Sequence, residues 1–276
     1  MAELLFGTAG VPHSAADSST VAGIERIREL GLGGMELEFV QGVRMSEATA
    51  IQVAGVAQDA GIRLSAHAPY FMNFNAREPE KIAASKERLW KTAHIAGMCG
   101  AWSVVFHPAF YLGMPASEVY NTVKNNLAEV LERLHDENNH IWVRPEVTGK
   151  PSQFGTIDEI LSLCLDLKGL APCVDFSHWH ARTGEFNSYP EFAAVLEQIK
   201  ERLGQTALEN MHMHVSGIRY GQKGELSHLN LKDSDLKYPE LMQALKDYGV
   251  GGLLICESPN LEDDARLLKE TYDSLK

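Results

Sequence analysis

Eight times along the chain a short apolar run gives way to a loop and then to a segment with helical periodicity, one unit every 30 residues or so. The runs are Leu4–Thr8, Gly34–Phe39, Arg63–Ala68, Ser103–Pro108, Ile141–Val147, Ala171–Phe176, Met211–Val215 and Leu253–Glu257. The helical pattern is clearest over Glu118–Leu134, where Val119, Val123, Leu127, Val130, Leu131 and Leu134 recur at intervals that place them on one face. Similar patterns cover Val21–Leu30, Ser46–Ala60, Glu80–Met98, Ile157–Leu167, Pro190–Leu203, Tyr238–Asp247 and Leu261–Leu275. Gly31, Gly61 and Gly100 fall just past helix ends, as C-terminal caps do. Alternating strand and helix predicts a parallel sheet covered by helices, and eight units close a barrel.

The expected fold class is therefore α/β, a single (β/α)8 TIM barrel over residues 1–276 with its active site at the C-terminal face. No linker, charge block or low-complexity stretch divides the chain. Cys99, Cys164, Cys173 and Cys256 form no Cys-x-x-Cys pair and lie in apolar surroundings, which suits reduced thiols in a cytoplasmic protein. No basic run followed by an apolar core marks a signal peptide, and no apolar run is long enough for a membrane span, so no membrane role is expected. The net charge of −12 weighs against a nucleic-acid ligand. That count averages the whole surface, and bound divalent metals would add positive charge that it omits.

Each of strands three to eight ends in a residue able to ligate a metal. They are His67, His107, Glu146, Asp175 with His178 just beyond, His214 and Glu257; the long loop after strand seven adds His228. Four imidazoles and three carboxylates at the strand ends of one barrel would be costly without cations between them. The mixture suits zinc, with manganese or iron as alternatives, and the number of ligands exceeds what one tetrahedral ion needs. Taken singly, each histidine reads first as a hydrogen-bonded structural residue, and Asp175 with His178, placed where strand six opens into a loop, also reads as a helix cap; it is the joint occurrence on six successive strands that points to metal. His94 and His135 fall on helices and His140 precedes strand five. His13 and His180 lie in site-side loops, where they would support the ligands from behind. His212 is expected to turn toward the helix layer, away from His214. Glu36 and Glu38 of strand two are expected to bond loop backbone rather than enter the site.

These residues together resemble the endonuclease IV family, zinc-dependent apurinic/apyrimidinic endonucleases within the wider xylose-isomerase-like barrels. The resemblance runs from strand three to the chain end. His-Ala-Pro-Tyr-Phe-Met-Asn at 67–73 is similar to the family's His-x-x-Tyr-x-x-Asn, and Phe-His-Pro, Glu146, Asp175-x-x-His178, His214 and Glu257 follow in order. The resemblance implies that His67, His107 and Glu146 hold one zinc, that Glu146, Asp175, His214 and Glu257 hold a second, and that His178 and His228 hold a third. It further implies hydrolysis of a phosphodiester in DNA at abasic sites, with Glu146 or Glu257 as catalytic carboxylates orienting the attacking water. Tyr70, Asn73, Arg182 and Arg219 are the candidate substrate-binding residues, with further loop cations such as Arg77 and Lys223. The chain departs from the pattern where the family has an Asp two residues before its last His: that position is Leu226, preceded by Glu225. The family's N-terminal His-Val-Ser is replaced by Gly-Thr-Ala-Gly.

The rival reading is a one-metal sugar isomerase or epimerase of the same superfamily, built on Glu146, Asp175, His214 and Glu257 and acting on a small sugar. His67 and His107 argue for the hydrolase, because a single-ion isomerase needs no second pair. A barrel that binds a ligand without turning it over is the third reading. Neither the native metal nor the oligomeric state is written in the sequence.

Overall fold

In the computed structural model, described for residues 2–275, the apolar runs form eight parallel strands around one axis. They are β1 (Leu4–Ala9), β2 (Gly34–Glu38), β3 (Arg63–His67), β4 (Ser103–Phe106), β5 (Trp142–Pro145), β6 (Cys173–Asp175), β7 (Met211–Val215) and β8 (Gly252–Cys256). Neighbours in the sheet follow chain order, and β1 pairs with both β2 and β8. The ring closes between β5 and β6 through parallel bridges at Val143–Leu170 and Glu146–Cys173. The helices are α1 (Thr20–Glu29), α2 (Glu47–Ala60), α3 (Pro79–Met98), α4 (Ala116–Asp136), α5 (Ile157–Asp166), α6 (Phe176–Thr183), α7 (Tyr189–Leu203), α8 (Gln205–Glu209), α9 (Tyr238–Asp247) and α10 (Glu262–Ser274).

The helices form where the pattern places them because one face of each is apolar and finds the barrel. Val119, Val123, Leu127, Val130 and Leu134 of α4 are buried. Ser19, Ser46 and Thr156 cap α1, α2 and α5 by accepting from backbone N–H groups that have no helical partner. Gly31, Gly61 and Gly100 take left-handed backbone just past α1, α2 and α3, as expected of C-terminal caps.

Two elements differ from the sequence reading, and both carry site residues. Strand β6 does not open into a loop: it passes directly into α6, with Asp175 as the N-cap whose Oδ1 accepts from the His178 N–H at 2.7 Å. The long connection after β7 folds into an antiparallel hairpin, Gly217–Gly221 with Gly224–Leu229. It packs over the C-terminal face beside α6.

Candidate metal centre

The expected ligands meet at the C-terminal ends of the strands. His67 is the last residue of β3, Asp175 the last of β6, and His214 lies in β7. His107, Glu146 and Glu257 come immediately beyond β4, β5 and β8. His178 is in the first turn of α6, and His228 is on the hairpin. Glu146, buried completely, is at the middle. Its Oε2 lies 2.8 Å from His107 Nε2 and 3.2 Å from His67 Nε2. Its Oε1 lies 3.2 Å from His178 Nδ1 and 3.3 Å from His214 Nδ1.

Among the described residues five sets of ligand atoms cluster within 4.8 Å; Glu36 with His214 and Glu257, and Cys173 with His212 and His214, reach into the barrel, and the other three chain together at the mouth. One is His67, His107 and Glu146; the next is Glu146, Asp175, His178 and Glu257; the last is His178, Glu225 and His228. Glu146 belongs to the first two and His178 to the last two. His214 borders the middle set, its Nδ1 3.3 Å from Glu146 Oε1 and 3.4 Å from Glu257 Oε1. The donor set fits divalent cations. Glu146 Oε1, Asp175 Oδ2 and His214 Nδ1 are buried and complete no hydrogen bond with the protein, which is costly unless a cation takes their lone pairs.

Glu225 enters through an irregularity of the hairpin. Ser227 pairs with Arg219, but the next partner of Tyr220 is Glu225, so Leu226 is an extra, unpaired residue. In a regular strand His228 and residue 226 would share a face. The bulge shifts that alternation by one, so Glu225 turns inward beside His228 while Leu226 stands 61% exposed. Glu225 Oε2 reaches 3.6 Å from His178 Nε2. Room for it is made by Gly149, where a Cβ would stand 2.8 Å from the Glu225 carboxylate and 3.0 Å from the His178 ring.

Two expectations about the barrel interior are corrected. His212 does not face the helices. Residues two apart on a strand point the same way, so His212 lies inside with His214, their ring centroids 5.2 Å apart. Glu36 does not bond loop backbone: it is buried within the barrel, accepts from Ser65 Oγ at 2.7 Å, and faces His212 Nε2 at 3.3 Å and His214 Nε2 at 3.1 Å. The signal was present in Met-Glu-Leu-Glu, where two acids alternate with an apolar residue inside a buried strand. Glu38 keeps access to solvent at the mouth yet is crowded by protein on its other sides. That crowding, with Glu36 and Glu257 nearby, pushes its carboxyl up to about 8 against the pull of His67. Of the loop histidines, His13 ties its loop to the Pro259 carbonyl, and His180 bonds the Glu185 carbonyl and Asp235. Neither touches a ligand.

The centre is held by opposed charges. Burial would raise the Glu146 carboxyl, but His107 and His214 hold it well below the usual range. Burial opposes a charged imidazole at His67, yet the hydrogen bond and charge of Glu146, with Glu38 and Glu36, lift it to about 9. Burial likewise disfavours the His178 cation, while Asp175, Glu146 and Glu225 raise it well above the ordinary value. Asp175 goes the other way: burial raises it, His178 opposes, Glu257 and Glu146 raise it further, and it stands at about 7. At His212 burial outweighs the pull of Glu36, and the imidazole falls to about 4.

The candidate substrate residues divide. Tyr70 is half exposed at the rim, its ring 5.2 Å from that of His67 and 5.9 Å from that of His107. Phe71 beside it is 53% exposed. Arg219 is exposed on the hairpin. Asn73 Oδ1 accepts from the N–H groups of Asn75 and Phe110, which fixes the loop after β3. Arg182 Nη1 donates within the loop after β5, 2.6 Å from the Lys150 carbonyl, 2.9 Å from that of Gln153 and 2.9 Å from Thr148 Oγ1. These last two shape the rim rather than face the cavity.

An uncharacterized protein of Methanocaldococcus jannaschii is 46% identical over 273 residues, spanning 99% of this chain and 98% of its own. A probable endonuclease 4 of Mycoplasma genitalium is 23% identical over 71% of this chain and 67% of its own. Among solved structures, endonuclease IV from Thermus thermophilus superimposes with a TM-score of 0.74 at 20% identity, covering 97% of this chain and 98% of that one. A D-tagatose 3-epimerase-like protein does so with a TM-score of 0.75, also at 20% identity, covering 98% and 96%. Hydrolase-like and epimerase-like barrels thus lie equally near in fold. The family model for xylose isomerase-like TIM barrels matches residues 24–276, and with the closed barrel this places the chain in that family.

Proposed function

We propose that this protein is a metal-dependent phosphodiester hydrolase that cuts DNA at abasic sites, using two or three zinc ions at the C-terminal face, with manganese or iron as alternatives. One observation carries the reading: the ligands form three sets chained through Glu146 and His178, which suits a cluster rather than a single ion. Ions held by these residues would supply an acidified water as nucleophile near neutral pH and positive charge to offset that developing on the phosphoryl and leaving oxygens. His67, His107, Asp175, His214, Glu257 and Glu146 would hold the first two, and His178, His228 and Glu225 the third. Of the two candidate carboxylates, Glu146 and Glu257, Glu257 would orient the attacking water. It is slightly open to solvent, whereas Glu146 is wholly enclosed between imidazoles. Tyr70 is positioned to pack against a sugar or base at the rim, and Arg219 to meet a phosphate. The similarity to proteins named as endonuclease 4 supports this choice of substrate.

The rival is a one-metal epimerase of a small sugar, favoured by the way Glu146, Asp175, His214 and Glu257 also converge among themselves. Metal analysis of the purified chain, with cleavage of a duplex carrying one abasic site and turnover of keto-sugars, separates the two. His107 belongs to the hydrolytic reading alone. His107→Ala is expected to lose one ion and at least about 10²-fold of cleavage, about 2.7 kcal/mol of transition-state stabilisation. Full metal content in that variant, or unchanged turnover of a keto-sugar, would hand the site to the epimerase.

A further inference from the structure

We infer that Glu36 is a positioning residue that dictates which nitrogen His214 presents to a metal. The inference rests on the metal-centre reading and is independent of which substrate is turned over. Glu36 is wholly enclosed one layer beneath the ligands, on β2 across the barrel from β7. A carboxylate there would be expensive unless its lone pairs were taken. Oε2 accepts from Ser65 Oγ at 2.7 Å and faces His212 Nε2 at 3.3 Å, and His212 in turn has Nδ1 2.8 Å from Ser103 Oγ. Oε1 has no other partner than His214, 3.1 Å from Nε2; the two atoms stand at ion-pair distance, and neither completes a hydrogen bond of good geometry.

The two nitrogens of His214 therefore meet different surroundings. Nε2 faces a carboxylate that is anchored from behind by Ser65. Nδ1 faces Glu146 and Glu257 in the centre. Both nitrogens face carboxylates, but Glu146 and Glu257 belong to the ligand set and would turn their oxygens to a cation; with one bound, the proton stays on the nitrogen beside Glu36 and the other carries the lone pair. Glu36 thus fixes the Nε2–H form of His214 and frees Nδ1 to ligate, with the ring locked in the plane that aims it. Neither His67 nor His107 has such an acid behind it. His67 Nδ1 is 2.7 Å from the Ala68 carbonyl, which does the same work with a neutral acceptor.

The test loads the chelated full chain with zinc or with cadmium-113. In 15N-histidine spectra of the cadmium form, His214 is expected to show coupling of Nδ1 to the metal and a proton on Nε2. This needs no variant. Coordination through Nε2 would overturn the inference. Glu36→Gln, which keeps the shape but turns one acceptor into a donor, is expected to weaken zinc at one position at least 10-fold, read by competition with a chromophoric chelator. The position held by His67 and His107 should keep its affinity and serves as the internal control. Equal zinc affinity in Glu36→Gln and parent would reduce Glu36 to a space-filling group and sink the inference, while leaving the metal centre intact. A parent chain that takes up no zinc removes the metal reading and this inference with it.

Discussion

Leu226 occupies the position where the resembled family has an aspartate, and on the sequence alone the third metal position lacks its acid. The bulge turns Glu225 inward toward His178 instead, where it is the candidate acid. Glu225→Ala is therefore expected to lower zinc content by one ion per chain and leave the ions near Glu146 in place. Leu226→Ala, which truncates an exposed side chain, should change neither. Equal stoichiometry in parent and Glu225→Ala would show that His178 and His228 hold the ion without it. At this scale the legible residues were those at strand ends, because a polar side chain closing an apolar run has few structural roles. His67, His107, Glu146, Asp175, His214 and Glu257 were all found that way, and all converge. Glu225 was not placed because a one-residue bulge leaves no mark in hydrophobic pattern. Glu36 and His212 lie inside the barrel, as strict alternation along β2 and β7 requires, against the expectation that they turn away from it.

Strand β6 and helix α6 join at a single residue with two tasks. Asp175 Oδ1 caps the helix and Oδ2 faces His178 at 3.1 Å, toward the centre. The tasks separate by chemistry, since asparagine is as good an N-cap as aspartate but lacks the charge a metal needs. Asp175→Asn is expected to bind the middle ion poorly while the chelated protein melts no lower than the chelated parent. It should in fact melt slightly higher, because burial and the neighbouring Glu146 and Glu257 disfavour the Asp175 charge in the first place. A chelated Asp175→Asn melting well below the chelated parent would mean that the charge, and not the cap, holds α6. The barrel strands and long helices were readable from periodicity because each buries a repeating apolar face. Helix α6 spans only Phe176–Thr183, and five of its eight residues are buried, His178 and His180 among them, so no polar face marks it. The hairpin at 217–229 mixes buried, half-buried and exposed residues without a regular alternation and offers no apolar run.

Across the whole molecule, the centre is an array of acids and imidazoles that must stay near neutral, either by holding protons or by holding metal. The two routes respond oppositely to pH. In the chelated protein His67 titrates near 9, above its ordinary 6.5. Its contribution to stability is full below about 6.5 and is lost as pH rises through about 9. Asp175, at about 7 against an ordinary 3.8, acts in the same direction: the folded state binds its proton more tightly, and that advantage disappears as pH passes 7. His178, raised well above its usual value, adds to the trend. Glu146 and Glu36, held well below the usual carboxylate range, contribute stability that is lost only on the acid side. The chelated chain should therefore lose stability up to about pH 7 through Asp175, and from about 6.5 to 9 through His67. Metal binding takes the place of those protons and strengthens as they leave, so the zinc-loaded chain gains where the chelated one loses. The difference in melting temperature between the two forms is expected to widen steadily from about pH 6.5 to 9, and zinc uptake at about pH 7 to release protons into the buffer. Melting curves on both forms across that range, with binding enthalpies compared in buffers of different ionisation heat, measure both quantities. A constant gap, with no proton release, would mean that His67, Asp175 and His178 are not the groups that receive the metal.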